Sequence, residues 1–445
     1  MTSNSRRDFL KLASAASTGA LLASAQGAGA QTETAATSAE AAGNPFDVVH
    51  DRRGTNSIKW DTAYHDGSSD VVAHDLGSNA VSGPLPLSLS DMEFQTAPVI
   101  VSALEARARH GIFGYTKPTS DYFQSISRWV SDQYDWQVDE DWLLITAGVM
   151  PAISHAVQAF TEPGDRIVIQ PPVFYPFGSV VENNGRVVLR NSLVLEDDRY
   201  VMDFDDLEEK AADPRTKMII LCSPHNPVGR VWSREELQRL GDICETHDLL
   251  IVSDEIHCDL VYSWADFTTL GVVDERILER LIVCNSPSKS FNLPGLKTAT
   301  AIIPNPSLRE AFNTVLRNLE QLFSENIFGT LALQTAYQQG RPWLGQLMEY
   351  LEGNYRLLET FLDERVAGLR LLKAEGLYLA WIDCRESGLD EAALRRVFFE
   401  QARVFPVMGS TYGLEGEGFI RVNIACPRIV LEAALGRIET AVSRA

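Results

Sequence analysis

Cysteine is scarce in this chain of 445 residues: there are six, at 222, 244, 258, 284, 384 and 426, and no two form a Cys-x-x-Cys pair. The eight histidines show no spacing of the zinc-site kind, so neither a metal ribbon nor a disulfide framework organises the fold. Cys222 and Cys284 close apolar runs, which makes buried free thiols the expected state and disulfides the alternative. Basic charge is also short. Lys and Arg number 39 against 60 Asp and Glu, a net charge of −21. That balance argues against nucleic acid or an anionic membrane as a partner and leaves a solvated acidic surface. No internal repeat is present, which excludes a solenoid. Beyond residue 30 no apolar run reaches the ~20 residues a membrane-spanning helix needs.

What remains is a chain with 45% hydrophobic residues, too long for one ordinary core, so a large domain and a smaller one are expected. The first thirty residues stand apart. Ser5-Arg6-Arg7-Asp8-Phe9-Leu10-Lys11, an Ala-rich apolar stretch from Leu12 to Ala25, and Ala28-Gly29-Ala30 form the charged, apolar and small-residue zones of an export signal with a twin-arginine pair. The alternative is a frayed amphipathic helix. A leader at 1–30 implies a periplasmic or extracellular location after export in the folded state, with no stable membrane association once it is cleaved. Residues 31–44 then read as a Thr/Ala/Glu-rich tether without apolar periodicity.

From Trp142 onward, short apolar runs alternate with helical patterns: Trp142–Ile145, Arg166–Ile169, Val187–Leu189, Met218–Leu221, Leu249–Val252, Leu281–Cys284 and Ala299–Ile303. Nearly continuous apolar strands separated by helices predict an α/β fold with a mostly parallel sheet covered on both faces. We place this large domain at 91–325. Residues 45–90 join the smaller α+β domain at 326–445, with a helix over Leu344–Leu362 and a strand over Leu377–Trp381.

Three of these strands end in chemistry. Met218–Leu221 leads into Cys222-Ser223-Pro224-His225-Asn226-Pro227, Leu249–Val252 into Ser253-Asp254-Glu255-Ile256-His257, and Leu281–Cys284 into Ser286-Pro287-Ser288-Lys289-Ser290-Phe291-Asn292. An amide, a carboxylate and an amine thus follow successive strands. In an open α/β sheet, such residues converge on the crevice outside the carboxyl ends. A lysine there either snorkels to the surface or is desolvated, which lowers its pKa and lets the amine condense with a carbonyl.

These motifs, with Arg421-Val422-Asn423-Ile424-Ala425-Cys426-Pro427-Arg428, resemble the fold-type I pyridoxal phosphate (PLP) enzymes of the class I/II aminotransferase superfamily from about Pro45 to the C-terminus. The wording is similar to the cystathionine β-lyase type of carbon-sulfur lyase. The resemblance implies PLP as cofactor and Lys289 as its Schiff-base lysine. It implies phosphate contacts from Ala147, Gly148 and Val149, where a strand-to-helix turn also offers backbone amides to an anion. Ser286, Ser288 and Lys297 join them, Lys297 standing where relatives often carry arginine. Phe174 takes the ring-stacking position usually held by tyrosine, while Tyr175 either compensates for the lost hydroxyl or packs in the core. Asp254 faces the pyridine nitrogen, Asn226 the ring 3-oxygen, and His257 either reaches the same oxygen or is structural. Arg421, with Arg428 as rival, takes the substrate carboxylate. Tyr115, in Ile112-Phe113-Gly114-Tyr115-Thr116, resembles the tyrosine that reaches the neighbouring subunit's phosphate, which implies a homodimer with a shared active site. No zinc or other metal is implied.

The expected activity is β-elimination from an S-substituted L-cysteine such as L-cystathionine, giving thiol, pyruvate and ammonia. An aminotransferase sharing the same residues is the alternative. A non-catalytic regulator is disfavoured, because a pure binder has no need of a buried amine and no helix-turn-helix segment is visible.

Overall fold

The computed structural model describes residues 43–61, 63–64, 71–72, 83–320 and 325–445. The leader expected at 1–30, and the tether up to residue 42, lie outside the described residues. Residues Asn44–Ala445 form one compact unit.

Its centre is a seven-stranded sheet. In chain order the strands are β1 (Leu143–Thr146), β2 (Arg166–Ile169), β3 (Val187–Arg190), β4 (Thr216–Cys222), β5 (Leu250–Asp254), β6 (Leu281–Asn285) and β7 (Ala299–Ile302). In space they run β1-β7-β6-β5-β4-β2-β3. Strands β3, β2, β4, β5 and β6 are mutually parallel. β7 is antiparallel to both β6 and β1. The mixed α/β architecture agrees with the expected class. The reversal of β7 matters: Lys297, which precedes it, therefore emerges at the edge where β4, β5 and β6 end.

The central strands are apolar because both faces are covered. Ile219, Ile220, Leu221, Ile251, Val252 and Ile282 are fully buried, each worth about 1.5–3 kcal/mol relative to exposure. Helix α1 (Val149–Phe160) covers one face. On the other lies α2 (Arg234–Thr246), whose start is fixed by a capping box between Ser233 and Glu236.

The C-terminal part carries a four-stranded antiparallel sheet of β8 (Arg370–Leu371), β9 (Leu379–Asp383), β10 (Val407–Met408) and β11 (Phe419–Asn423), in the order β8-β9-β11-β10. The strand expected at Leu377–Trp381 begins two residues later, since Leu377 takes a left-handed φ of 72°. The expected helix over Leu344–Leu362 extends to Arg341–Arg365. All six cysteines are buried and unpaired. Among the described residues no helix is long and apolar enough to cross a membrane.

Candidate active site

The register of the sheet brings the three chemical motifs together. Asp254, the last residue of β5, lies opposite Cys222 on β4 and Cys284 on β6. The chain beyond each strand therefore opens onto one edge. A cavity of about 290 Å³ lies there. Ala147, Gly148, Val149, Phe174, Asn226, Asp254, His257, Ser286, Ser288, Lys289 and Lys297 all line it.

Lys289 is half-buried with its amine turned into the cavity, and desolvation, helped by the charge of Arg421, lowers it from 10.5 to about 8. Asp91 and Asp254 oppose that shift. Its Nζ donates to Ser90 Oγ at 2.6 Å and to the Ser90 carbonyl at 3.3 Å. The turn carrying it is clamped on both sides. Ser290 Oγ donates to the half-buried Asp259 carboxylate at 2.6 Å, to which Trp129 Nε1 also donates at 3.0 Å. Asn292 accepts from the Met92 amide at 2.9 Å and donates to the Phe94 carbonyl at 2.8 Å.

Burial pushes Asp254 up to about 7, against the Ile256 amide, which it accepts at 3.1 Å. His257 is held neutral, well below the usual imidazole range, by burial and then by Lys289 and Arg421. Neither of its ring nitrogens has a hydrogen-bond partner within the protein. Buried polar atoms are rarely left so, and His257 lines the cavity, where a ligand could supply the partner.

At the far end, helix α1 starts at Gly148 with φ 145° and ψ 165°, and no acidic residue in its first turn opposes an anion. Ser286 is a partial surprise. Its hydroxyl donates to the Thr298 carbonyl at 2.7 Å and accepts the Ser288 amide at 3.1 Å, so it shapes the turn in this structure. The cavity fits a phosphorylated pyridine aldehyde. It offers helix-start amides and Lys297 for a phosphate, Phe174 for an aromatic face, a buried carboxylate for a ring nitrogen and a low-pKa amine for the aldehyde.

Arg421 lies in a second cavity of about 270 Å³, which shares Ser90 and Phe174 with the first. It projects from β11, is 4% exposed, and donates to Asn226 Oδ1 at 3.0 Å and to the Ser88 carbonyl at 2.7 Å, while its Nε has no partner. Arg428, the rival, donates its backbone N–H to Tyr350 Oη at 2.7 Å and lines neither cavity.

Residues 82–438 match the family described as aminotransferase class I and II. This chain belongs to that family. It is 39% identical over 398 residues to cystathionine beta-lyase PatB of Bacillus subtilis strain 168, covering 89% of this chain and 100% of that protein. It is 35% identical to protein MalY of Escherichia coli K12, covering 89% of this chain and 98% of that one. Among solved structures, cystalysin from Treponema denticola, which contains a pyridoxal 5'-phosphate cofactor, superposes with a TM-score of 0.84 at 34% identity over 90% of this chain and 98% of that one.

Tyr115 does not reach the cavity of its own chain and is 85% exposed. Tyr175 is not core either: it is 47% exposed and lines the second cavity. Ser90 is the functional candidate that the sequence did not disclose. It belongs to the irregular segment after Leu87, without apolar periodicity, and meets Lys289 from 199 residues away.

Proposed function

We propose that this chain is a PLP-dependent carbon-sulfur β-lyase that acts on S-substituted L-cysteines such as L-cystathionine. The observation that carries the amino-acid part of the reading, which an aminotransferase would share, is the placement of Arg421 in a second cavity, hydrogen-bonded to Asn226 beside the cavity that holds Lys289 and Asp254. The relatives named as cystathionine beta-lyase and cystalysin support the elimination branch.

Bound PLP supplies an electron sink for charge developing at the substrate α-carbon. Arg421 grips the α-carboxylate through its fork and so aligns the α-hydrogen. Lys289 Nζ, with its pKa lowered to about 8, accepts that proton near neutral pH. Asp254 keeps a proton on the pyridine nitrogen, and that positive partner draws its own raised pKa back down. Phe174 and the apolar walls exclude water. The Cβ–S bond breaks, sulfur leaves as the thiolate, and water releases pyruvate and ammonia.

The test is sustained thiol and pyruvate release from L-cystathionine with no keto acid present. One turnover that then waits for a keto acid would make the protein an aminotransferase, the reading its family name favours. Two further parts of the proposal concern assembly and location. Exposed Tyr115 serves the phosphate of a second copy in a homodimer, so mixing Lys289→Ala and Tyr115→Phe chains should restore activity that each lacks. The leader at 1–30 directs twin-arginine export, and conversion of Arg6 and Arg7 to Lys should retain the protein inside the cell.

A further inference from the structure

Arg395 is the charged residue of the substrate cavity that elimination itself does not use. Arg421 and Arg395 line that cavity and no carboxylate does, in a chain of net charge −21. The lining they share is mostly apolar and aromatic, with Phe399, Met408 and Tyr412. Each guanidinium lies near an aromatic ring, Arg421 at 5.2 Å from the centroid of Tyr412 and Arg395 at 5.9 Å from that of Phe399. Arg395 makes one ion pair, with Glu391 one turn earlier at 3.8 Å, which is longer than a hydrogen bond, and that carboxylate's Oε1 also accepts from Ser410 Oγ at 2.7 Å.

The backbone makes a second case. The short helix Glu391–Arg395 passes directly into a π-helical stretch, Arg396–Ala402. Such turns are rare and concentrate at functional sites. This one carries Phe399 to the same cavity as Arg395, four residues earlier.

We propose that Arg395 binds a carboxylate on the S-substituent, so that the preferred substrate is an S-substituted cysteine whose leaving thiol ends in an acid group beyond an apolar arm. This rests on the lyase reading. The bond changes are those of elimination: the α-proton goes to Lys289, its electron pair forms the Cα–Cβ double bond, and sulfur leaves with the C–S pair and the acid group attached.

The test compares S-(4-carboxybenzyl)-L-cysteine with S-benzyl-L-cysteine on wild-type, Arg395→Gln and Arg395→Lys holoenzymes. Pyruvate release gives kcat/KM, and absorbance titration gives the dissociation constants. Wild type should prefer the carboxylated substrate by about tenfold or more, as a charge-assisted pair implies. Arg395→Gln should bring the ratio close to one, and Arg395→Lys should recover part of it. A wild-type ratio near one overturns the proposal, as does an Arg395→Gln variant that weakens both substrates alike, since that would mean the arginine only packs on Phe399. If neither compound yields pyruvate the lyase reading fails, while the ratio of dissociation constants still decides whether Arg395 reads the acid group.

Discussion

The two cavities share Ser90 and Phe174 but are built in opposite ways. The first draws Asn226, Asp254, Lys289 and the Gly148 turn from the carboxyl ends of neighbouring strands, held by a sheet whose central side chains are fully buried. The second is assembled from Ser88–Ser90, Tyr175, the π-helical Phe399, β10 and β11, none of which is sequence-adjacent to another. In the proposed reading the reacting groups sit on the large sheet, while the second cavity pairs Arg421 on β11, for the α-carboxylate common to every substrate, with Arg395 and Phe399 on an irregular segment, for the part that varies.

The largest effect that could break this division is Lys289→Ala. Loss of the amine should lower pyruvate release by at least about 10⁴-fold on every substrate, since it removes both the nucleophile and a general base. Circular dichroism should show the fold intact. A residual rate differing between substrates would place catalysis partly in the second cavity. Next comes Arg421→Gln, which removes two charge-assisted hydrogen bonds of roughly 1.5–3 kcal/mol each and should cut kcat/KM by about 10²- to 10⁴-fold. All α-amino acids should suffer equally, because the α-carboxylate is common to them; a spread among S-substituents would assign Arg421 to the variable end.

The smallest effect concerns stability and sharpens the contrast. Burial raises Asp254 from 3.8 to about 7 in the cofactor-free fold. As pH rises, the unfolded chain gives up this proton first. The group's stabilising contribution is therefore complete below about pH 4 and lost progressively up to about pH 7, a penalty of a few kcal/mol at most. Thermal melting of the cofactor-free protein should fall between about pH 4 and about pH 7, and Asp254→Asn should flatten that fall. An equal fall in the variant would mean that the buried carboxylate is not its source.

The first cavity was largely legible in the sequence. Each short apolar run such as Met218–Leu221 or Leu281–Cys284, alternating with helical patterns, reads as a strand covered on both faces, which places the polar residues after it at the carboxyl edge. The reversal of β7 was not legible, because parallel and antiparallel buried strands share one apolar pattern. Lys297 is nevertheless at the right edge, since it precedes a reversed strand. Tyr175 read equally well as core, and its exposure emerged only from its neighbours. Nothing in the sequence singles out Arg395 and Phe399, since their four-residue spacing is the same whether or not the helix widens into a π turn.

By itself, then, the sequence determined the α/β class, the identity of the amine, carboxylate and amide, and the edge on which they meet, because short-range periodicity dictates which segments are buried strands and where each one stops. Only the tertiary structure decided that Ser90 meets Lys289, that Arg421 meets Asn226 across 195 residues, and that a second arginine, Arg395, lines the same cavity as Arg421. Those meetings depend on how whole layers pack, and no local pattern of residues encodes them.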